Sequence, residues 1–226
     1  MKRHDLMAYN WPDDLEQARE IQARLRHQVI CENDLDTVNF VAGIDVGFEN
    51  NGKTTRAAVA VLNFPELTLH EKIVNRTPTC FPYIPGYLSF RELPGVMDAL
   101  LQLKTTPDLI LCDGQGIAHP RHFGIACHLG ILTGIPTIGV AKSRLYGAYN
   151  EPGANKGEWS RLIDTSHAGN NEVIGAVLRT RNNVKPLFIS IGHRVDLETA
   201  IDYTLKCTTR YRLPETTRWA HKLASG

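Results

Sequence analysis

A chain of 226 residues, 42% hydrophobic and 22% charged, can bury one sizeable core without disulfide or metal staples, and it reads as a single domain over residues 1–226. Its net charge of +1 leaves a nucleic-acid partner to be judged from the local distribution of charge. The five cysteines (Cys31, Cys80, Cys112, Cys127, Cys207) are odd in number, widely spaced and free of any C-x-x-C, and no apolar run approaches a membrane span. These features argue against a disulfide framework and a membrane protein, so a soluble cytoplasmic protein is expected.

In chain order, PDDLEQAREIQARLRHQVI (12–30) opens with a proline and two acids and repeats apolar residues at helical spacing, which predicts an amphipathic helix. NFVAGIDVGFE (39–49) predicts a strand, ENNGKT a turn through its Asn-Gly, TRAAVAVLNF (55–64) the returning strand and LHEKIVNRT (69–77) a third. PYIPG follows as a stiff loop, because Pro82 and Pro85 each remove a backbone donor and fix φ. SFRELPGVMDALLQL (89–103) reads as a helix interrupted at Pro-Gly. PDLILCDG (107–114) has the continuous apolar run of a buried parallel strand. A helix over 122–134 and a strand over 136–143 come next, and residues 147–172, rich in Gly, Asn and Glu, read as a surface insertion. Two late strands (172–180, 186–193), a helix over 196–209 and a short terminal helix complete the chain. Three antiparallel strands followed by alternating helix and strand imply an α/β fold, a mixed sheet with helices on both faces.

GFENNGKT (47–54) matches G-x-x-x-x-G-K-[ST] and follows a predicted strand, so a P-loop nucleotide hydrolase is one rival reading. A P-loop needs a helix opening at its lysine. The Ala/Val run after Thr54 stops at Pro65 and is too short and too β-branched for one, which favours a hairpin.

Three carboxylates stand out. Asp45 lies mid-strand among apolar residues, where a lone aspartate costs several kcal/mol unless it is paired or bound to a cation. Asp113 ends an apolar strand beside Gly114 and Gly116, at the edge where open α/β sheets bind ligands. Glu92 follows the PYIPG loop. Each also has an ordinary structural reading: a salt bridge, a turn cap, a helix-start acid. If the strands carrying Asp45 and Asp113 are neighbours, however, the three converge. Hard oxygen donors without paired cysteines or H-E-x-x-H favour Mg2+, with Mn2+ as a substitute, over zinc. Two such ions roughly 4 Å apart would clamp a phosphodiester. Cationic and imidazole groups recur at strand ends (His119, Arg121, His122, Lys142, Arg144, His193, Arg194) and in the tail (His221), as a phosphate backbone would require.

With these residues in place, the chain resembles the endonuclease V family of deoxyinosine-directed repair nucleases. The likeness runs from GIDVGF through TRAAVAVL, PYIPGYLSFRE, PDLILCDGQGIAHPR, GIPTIGVAKSRLYG and PLFISIGHRV to YRLPETTRWAH. It implies an RNase H-like fold and Mg2+-dependent hydrolysis of the second phosphodiester 3′ to a deaminated base in DNA, leaving 3′-hydroxyl and 5′-phosphate ends. It implies metal-binding roles for Asp45, Glu92 and Asp113, a position near the metal for His221, phosphate stabilisation by Lys142 and strand contact by His119. Pro82, Tyr83, Ile84 and Pro85 would form a wedge, Tyr83 filling the gap left by a base that swings out. The base would enter a pocket near Leu88, Gly114, Gly116, Ile125 and Leu145, read largely by backbone groups, with Arg91 as a further substrate contact. Inosine-containing DNA is the implied partner, single-stranded DNA or RNA further candidates, and a monomer is expected. Gln115 stands where a histidine is common in the family, which puts a side-chain role there in doubt. The remaining rival is a catalytically idle nucleic-acid-binding module, which loss of a metal ligand would indicate; none of the three carboxylates is missing.

Overall fold

The protein is described here as a computed structural model covering residues 9–166 and 171–226. Strands β1 (Phe40–Glu49), β2 (Thr54–Asn63) and β3 (Leu69–Pro78) form an antiparallel meander. Between β1 and β2 the chain reverses through Asn50, Asn51 and Gly52, all at positive φ, and Lys53 donates its N–H to Asn50 O at 3.3 Å. Asn and Gly are the residues that tolerate this backbone. GFENNGKT is therefore a hairpin: Thr54 begins β2, and no helix opens at Lys53. The P-loop reading fails on that geometry.

The rest of the sheet is mixed. β4 (Leu109–Cys112) lies parallel to β1, and β5 (Thr137–Ala141) parallel to β4. β6 (Trp159–Asp164), β7 (Glu172–Leu178) and β8 (Leu187–His193) add antiparallel strands, giving the order β3-β2-β1-β4-β5-β8-β7-β6. The helices are α1 (Leu15–Leu25), α2 (Leu88–Leu101), α3 (Ile125–Thr133), α4 (Leu197–Lys206) and α5 (Glu215–Ser225). Period-two alternation divides the sheet into two apolar faces. Val41, Leu109, Leu111 and Ile138 pack with Ala200 and Ile201 of α4 and Trp219 of α5. Ala42, Ile44, Val59 and Ile110 pack with Leu93 and Val96 of α2 and Leu129 of α3. Helices do cover both faces.

Three local expectations need correction. The first helix spans 15–25 rather than 12–30: Asp14 caps it, accepting from Gln17 N at 2.9 Å, and after Leu25 the chain tightens into a 3-10 turn, Arg26–Gln28. α2 is not interrupted at Pro-Gly but continues through Pro94. Residues 147–172 are not only a surface insertion, since 159–164 form β6, the edge strand beside β7; residues 167–170 of that stretch lie outside the described residues. β6 leaves Trp159 exposed and buries Leu162, too thin an apolar pattern to emerge from its Gly- and Asn-rich flanks. All five cysteines are free thiols.

Candidate active site

Asp45 owes its position to two glycines. Gly43, Asp45 and Gly47 alternate along β1 and so share one face. A Cβ at Gly43 would lie 2.1 Å from Thr216 O, and one at Gly47 2.3 Å from Ala224 O. Only glycine lets the α5 backbone approach β1 so closely. That approach brings His221 of α5 to Asp45, with Nδ1 2.7 Å from Oδ2. The parallel register matches Ile44 with Cys112, so Asp113 follows beside Asp45 on the same face. β5 is the next parallel strand, and Lys142, just past its end, forms an ion pair with Asp113. Asp45, Asp113 and His221 each offer a donor atom, and the three atoms lie within 4.8 Å of one another.

Glu92 is not among these three. It lies early in α2, on the helix layer of the opposite face, and approaches the sheet edge from there. Burial pushes its carboxyl up to about 8, the negative charges of Asp45 and then Asp113 add to the rise, and Arg91 opposes it. Burial also raises Asp113, against the pull of Lys142. Three acids thus crowd a site in which Lys142 pairs with Asp113 and the His221 imidazole bonds Asp45. A hard divalent cation would relieve that crowding, so the donor set fits one.

The PYIPG loop leads into α2. Ile84 O accepts from Tyr87 N at 3.0 Å, with Pro85 and Gly86 (φ 82°) at the two central positions, as a type II turn requires. The turn is clamped from below. Gly86 O accepts from Gln22 Nε2 (3.0 Å), His119 Nε2 (3.0 Å) and Arg121 Nη2 (2.5 Å). Arg121 also donates to Gln22 Oε1 at 2.5 Å and lies over the Tyr87 ring at 4.1 Å. Arg121 N donates to His119 Nδ1, so the His119 proton sits on Nε2; burial, with Arg121 adding, holds this imidazole neutral, down to about 4. On this clamped base the prolines separate two fates. Ile84 packs beside Phe81 and Phe90, while Tyr83 stands 68% exposed.

Beneath Tyr83 lies a cavity of about 120 Å³, the scale that receives one aromatic ring. Its walls include Leu88, Ile125 and Leu145, which the sequence reading placed at the pocket, and Tyr83 and His119, which it named as wedge and strand contact. Gly114 and Gly116 do not line it. A Cβ at Gly116 would sit 1.9 Å from Ile191 O, so this glycine serves the packing of its loop on β8. The wall also contains Gln22, Ser89, Gln115, Phe123 and Gly124, which the sequence reading did not select. Gln22 had a signal: an amide in the buried stripe Ala18-Gln22-Leu25 of α1 needs a partner inside.

Other expected contacts are placed elsewhere. Arg91 donates to Phe81 O at 2.8 Å and lies 4.2 Å over the Phe48 ring, bracing the loop against the hairpin. His193 and Arg194 are not on the carboxylate side. β8 runs antiparallel to β5, so its C-terminal end meets Thr137, at the start of β5. There His193 Nδ1 accepts from Ile30 N, and Arg194 pairs with Asp34 at 2.5 Å. His122 pairs with Asp164 at 2.8 Å. Arg212, not singled out from the sequence, donates to Lys142 O and Pro186 O, both at 2.8 Å, and so fixes the backbone that carries Lys142.

The Endonuclease V family model matches residues 23–222. An Endonuclease V of Rippkaea orientalis is 56% identical over 217 residues, covering 96% of this chain and 93% of its own. The crystal structure of the Endonuclease V of Streptomyces avermitilis superposes with a TM-score of 0.89 at 43% identity, covering 96% of this chain and 93% of that one. A Ciona intestinalis Endonuclease V (D234N), crystallised with a 23mer DNA containing an inosine followed by a ribo-adenosine, superposes with a TM-score of 0.82 at 32% identity, covering 93% and 95%.

Proposed function

The chain belongs to the Endonuclease V family, is a nuclease and has the RNase H-like fold of that family, and from that premise we propose that it nicks DNA at the second phosphodiester 3′ to deoxyinosine, leaving 3′-hydroxyl and 5′-phosphate ends. The observation that carries this reading is one arrangement. A group of acid and imidazole donors lies at a sheet edge, and an exposed tyrosine on a clamped loop stands over a ring-sized cavity. The inosine-containing DNA of the Ciona complex supports inosine DNA as the substrate.

Asp45, Asp113 and Glu92 would hold Mg2+, with His221 beside them. A bound divalent cation supplies Lewis acidity toward a phosphoryl oxygen. The chain's own residues do the rest. Lys142, held beside Asp113 by Arg212's grip on its carbonyl, presents an ammonium to the phosphate. His221 Nδ1 and Asp45 share a hydrogen bond that orients the imidazole. Tyr83 fills the stack when the base leaves it, and unstacking, which costs about a few kcal/mol, is offset by that ring. The two prolines and the clamped Gly86 carbonyl keep the tyrosine out in advance, so little ordering is required on binding. The neutral, doubly engaged His119 holds the loop at the cavity rim. Among the described residues no helix is long and apolar enough to cross a membrane.

The test is a nicking assay on a labelled duplex with one deoxyinosine, with Mg2+, with EDTA, and on undamaged DNA. A single Mg2+-dependent cut one nucleotide beyond the lesion is expected. Asp45→Asn and Asp113→Asn should abolish it while inosine-DNA binding persists in calcium. Cutting by either variant at the unsubstituted protein's rate would refute the metal site.

A further inference from the structure

Two walls of the cavity come from segments that follow different strands, and one carboxylate joins those segments. Phe123 belongs to the connection from β4 to α3, Leu145 to the connection after β5. Phe123 is fully buried, whereas Leu145 is 46% exposed, so core packing fixes the first wall and leaves the second to other contacts. Asp164 ends β6 and is itself buried. Its Oδ2 accepts from Nε2 of His122, the neighbour of Phe123, at 2.8 Å. Its Oδ1 accepts from the hydroxyl of Tyr146, the neighbour of Leu145, at 2.7 Å, and from Ser166 N at 2.7 Å. Two backbone bonds between Ala148 and Ile163, both 2.8 Å, lay β6 along the same Leu145 segment. His122 reaches Asp164 from a left-handed backbone, φ 51°, which few residues with a side chain adopt. Such backbone clusters where function imposes it.

We infer that Asp164 is a positioning residue for lesion recognition: by gripping His122 and Tyr146 it holds the two walls at the separation that closes on a base, and it makes the edge strand β6 part of the base-binding apparatus. The inference rests on the proposed reading of the cavity as a base pocket. A carboxylate suits the task because it only accepts, and its two oxygens can hold donors from two directions at once. Its bonds to the imidazole and the phenol are charge-assisted and shielded from water. Without them Leu145 is free to move outward with Tyr146. Apolar contact with a base is short-ranged: a gap of about 0.5–1 Å forfeits about a quarter to a half of the dispersion attraction. The loss falls on the base and not on the wedge, because Tyr83 stands on the separate clamp that holds the Gly86 carbonyl.

The experiment measures binding in calcium, by fluorescence anisotropy, to three duplexes that differ at one position: hypoxanthine, a tetrahydrofuran abasic site, or adenine. The abasic duplex leaves a gap for Tyr83 but sends no base into the cavity. Tyr146→Phe removes one grip and keeps the ring. His122→Asn removes the other, since asparagine tolerates the left-handed backbone and is too short to reach Asp164. Asp164→Ala removes both. Each variant should bind the hypoxanthine duplex about three- to tenfold more weakly, the effect of about one hydrogen bond, and the abasic duplex as before. In the Asp164→Ala background, Tyr146→Phe should add nothing further, because it acts through that carboxylate. Equal losses on the hypoxanthine and abasic duplexes, or both affinities intact whatever the change in Tm, would overturn the inference and leave Asp164 a stabiliser of β6. If the unsubstituted chain itself fails to prefer hypoxanthine to both other duplexes, the base-pocket reading falls, and the inference with it. The two failures are therefore distinguishable.

Discussion

Replacing Tyr83 by alanine separates a wedge from a core residue. A tyrosine buries roughly 150–250 Å² when fully enclosed. Tyr83 is 68% exposed, so it buries about a third of that. At about 25 cal/mol per Å² the loss is roughly 2 kcal/mol at most, and a compact unfolded chain and released rotamer freedom bring it toward about 1 kcal/mol. For a domain of this size that lowers Tm by about 2–4 °C. A buried aromatic cut to alanine would cost about 3–5 kcal/mol and a correspondingly larger shift. Against DNA the order reverses. Stacking of an aromatic on a base is worth about 1–3 kcal/mol, so Tyr83→Ala should weaken inosine-duplex binding by roughly 5- to 150-fold. Undamaged duplex, which leaves no gap to fill, should bind as before. Calorimetry and anisotropy titrations in calcium on one preparation read both quantities. A fall in Tm near 10 °C with inosine affinity intact would return Tyr83 to the core and refute the wedge.

Glu92 gives a pH signature. Its carboxyl holds a proton up to about 8 in the fold, while the unfolded chain releases it near 4.5. The native state therefore binds more protons across that window, and the stability of the metal-free protein should fall as pH rises through it. In Glu92→Gln this fall should be reduced, and Mg2+ should restore more stability to the unsubstituted chain at pH 8 than at pH 5. Urea titrations at several pH values check both, and a parallel slope in the two proteins would refute the assignment. Gly86→Ala forces a Cβ onto φ 82° and to 2.6 Å from Arg121 Nη2. It should cost about 1–2 kcal/mol, read as a Tm fall of several degrees, and should reduce inosine selectivity with it. An unchanged Tm would show that the turn is not clamped.

What the sequence determined by itself was local. Asp45 in an apolar strand, Asp113 at a strand end and two prolines around Tyr83 are anomalies of burial and backbone chemistry, visible without coordinates. The Asn-Gly turn exposed the false P-loop in the same way, because a glycine-rich turn between two β-branched runs forms a hairpin. Parallel pairing of the strands bearing Asp45 and Asp113 was a conjecture that the register of Ile44 with Cys112 now supports. What only the tertiary structure decided was which strand ends share an edge. His193 and Arg194 look like site residues in the sequence, but β8 is antiparallel to β5 and carries them to the opposite end. The triple clamp on the Gly86 carbonyl joins residues more than thirty positions apart, and Asp164 grips His122 and Tyr146, 42 and 18 residues back. Hydrogen-bond satisfaction depends on neighbours in space, and spacing along the chain does not supply them.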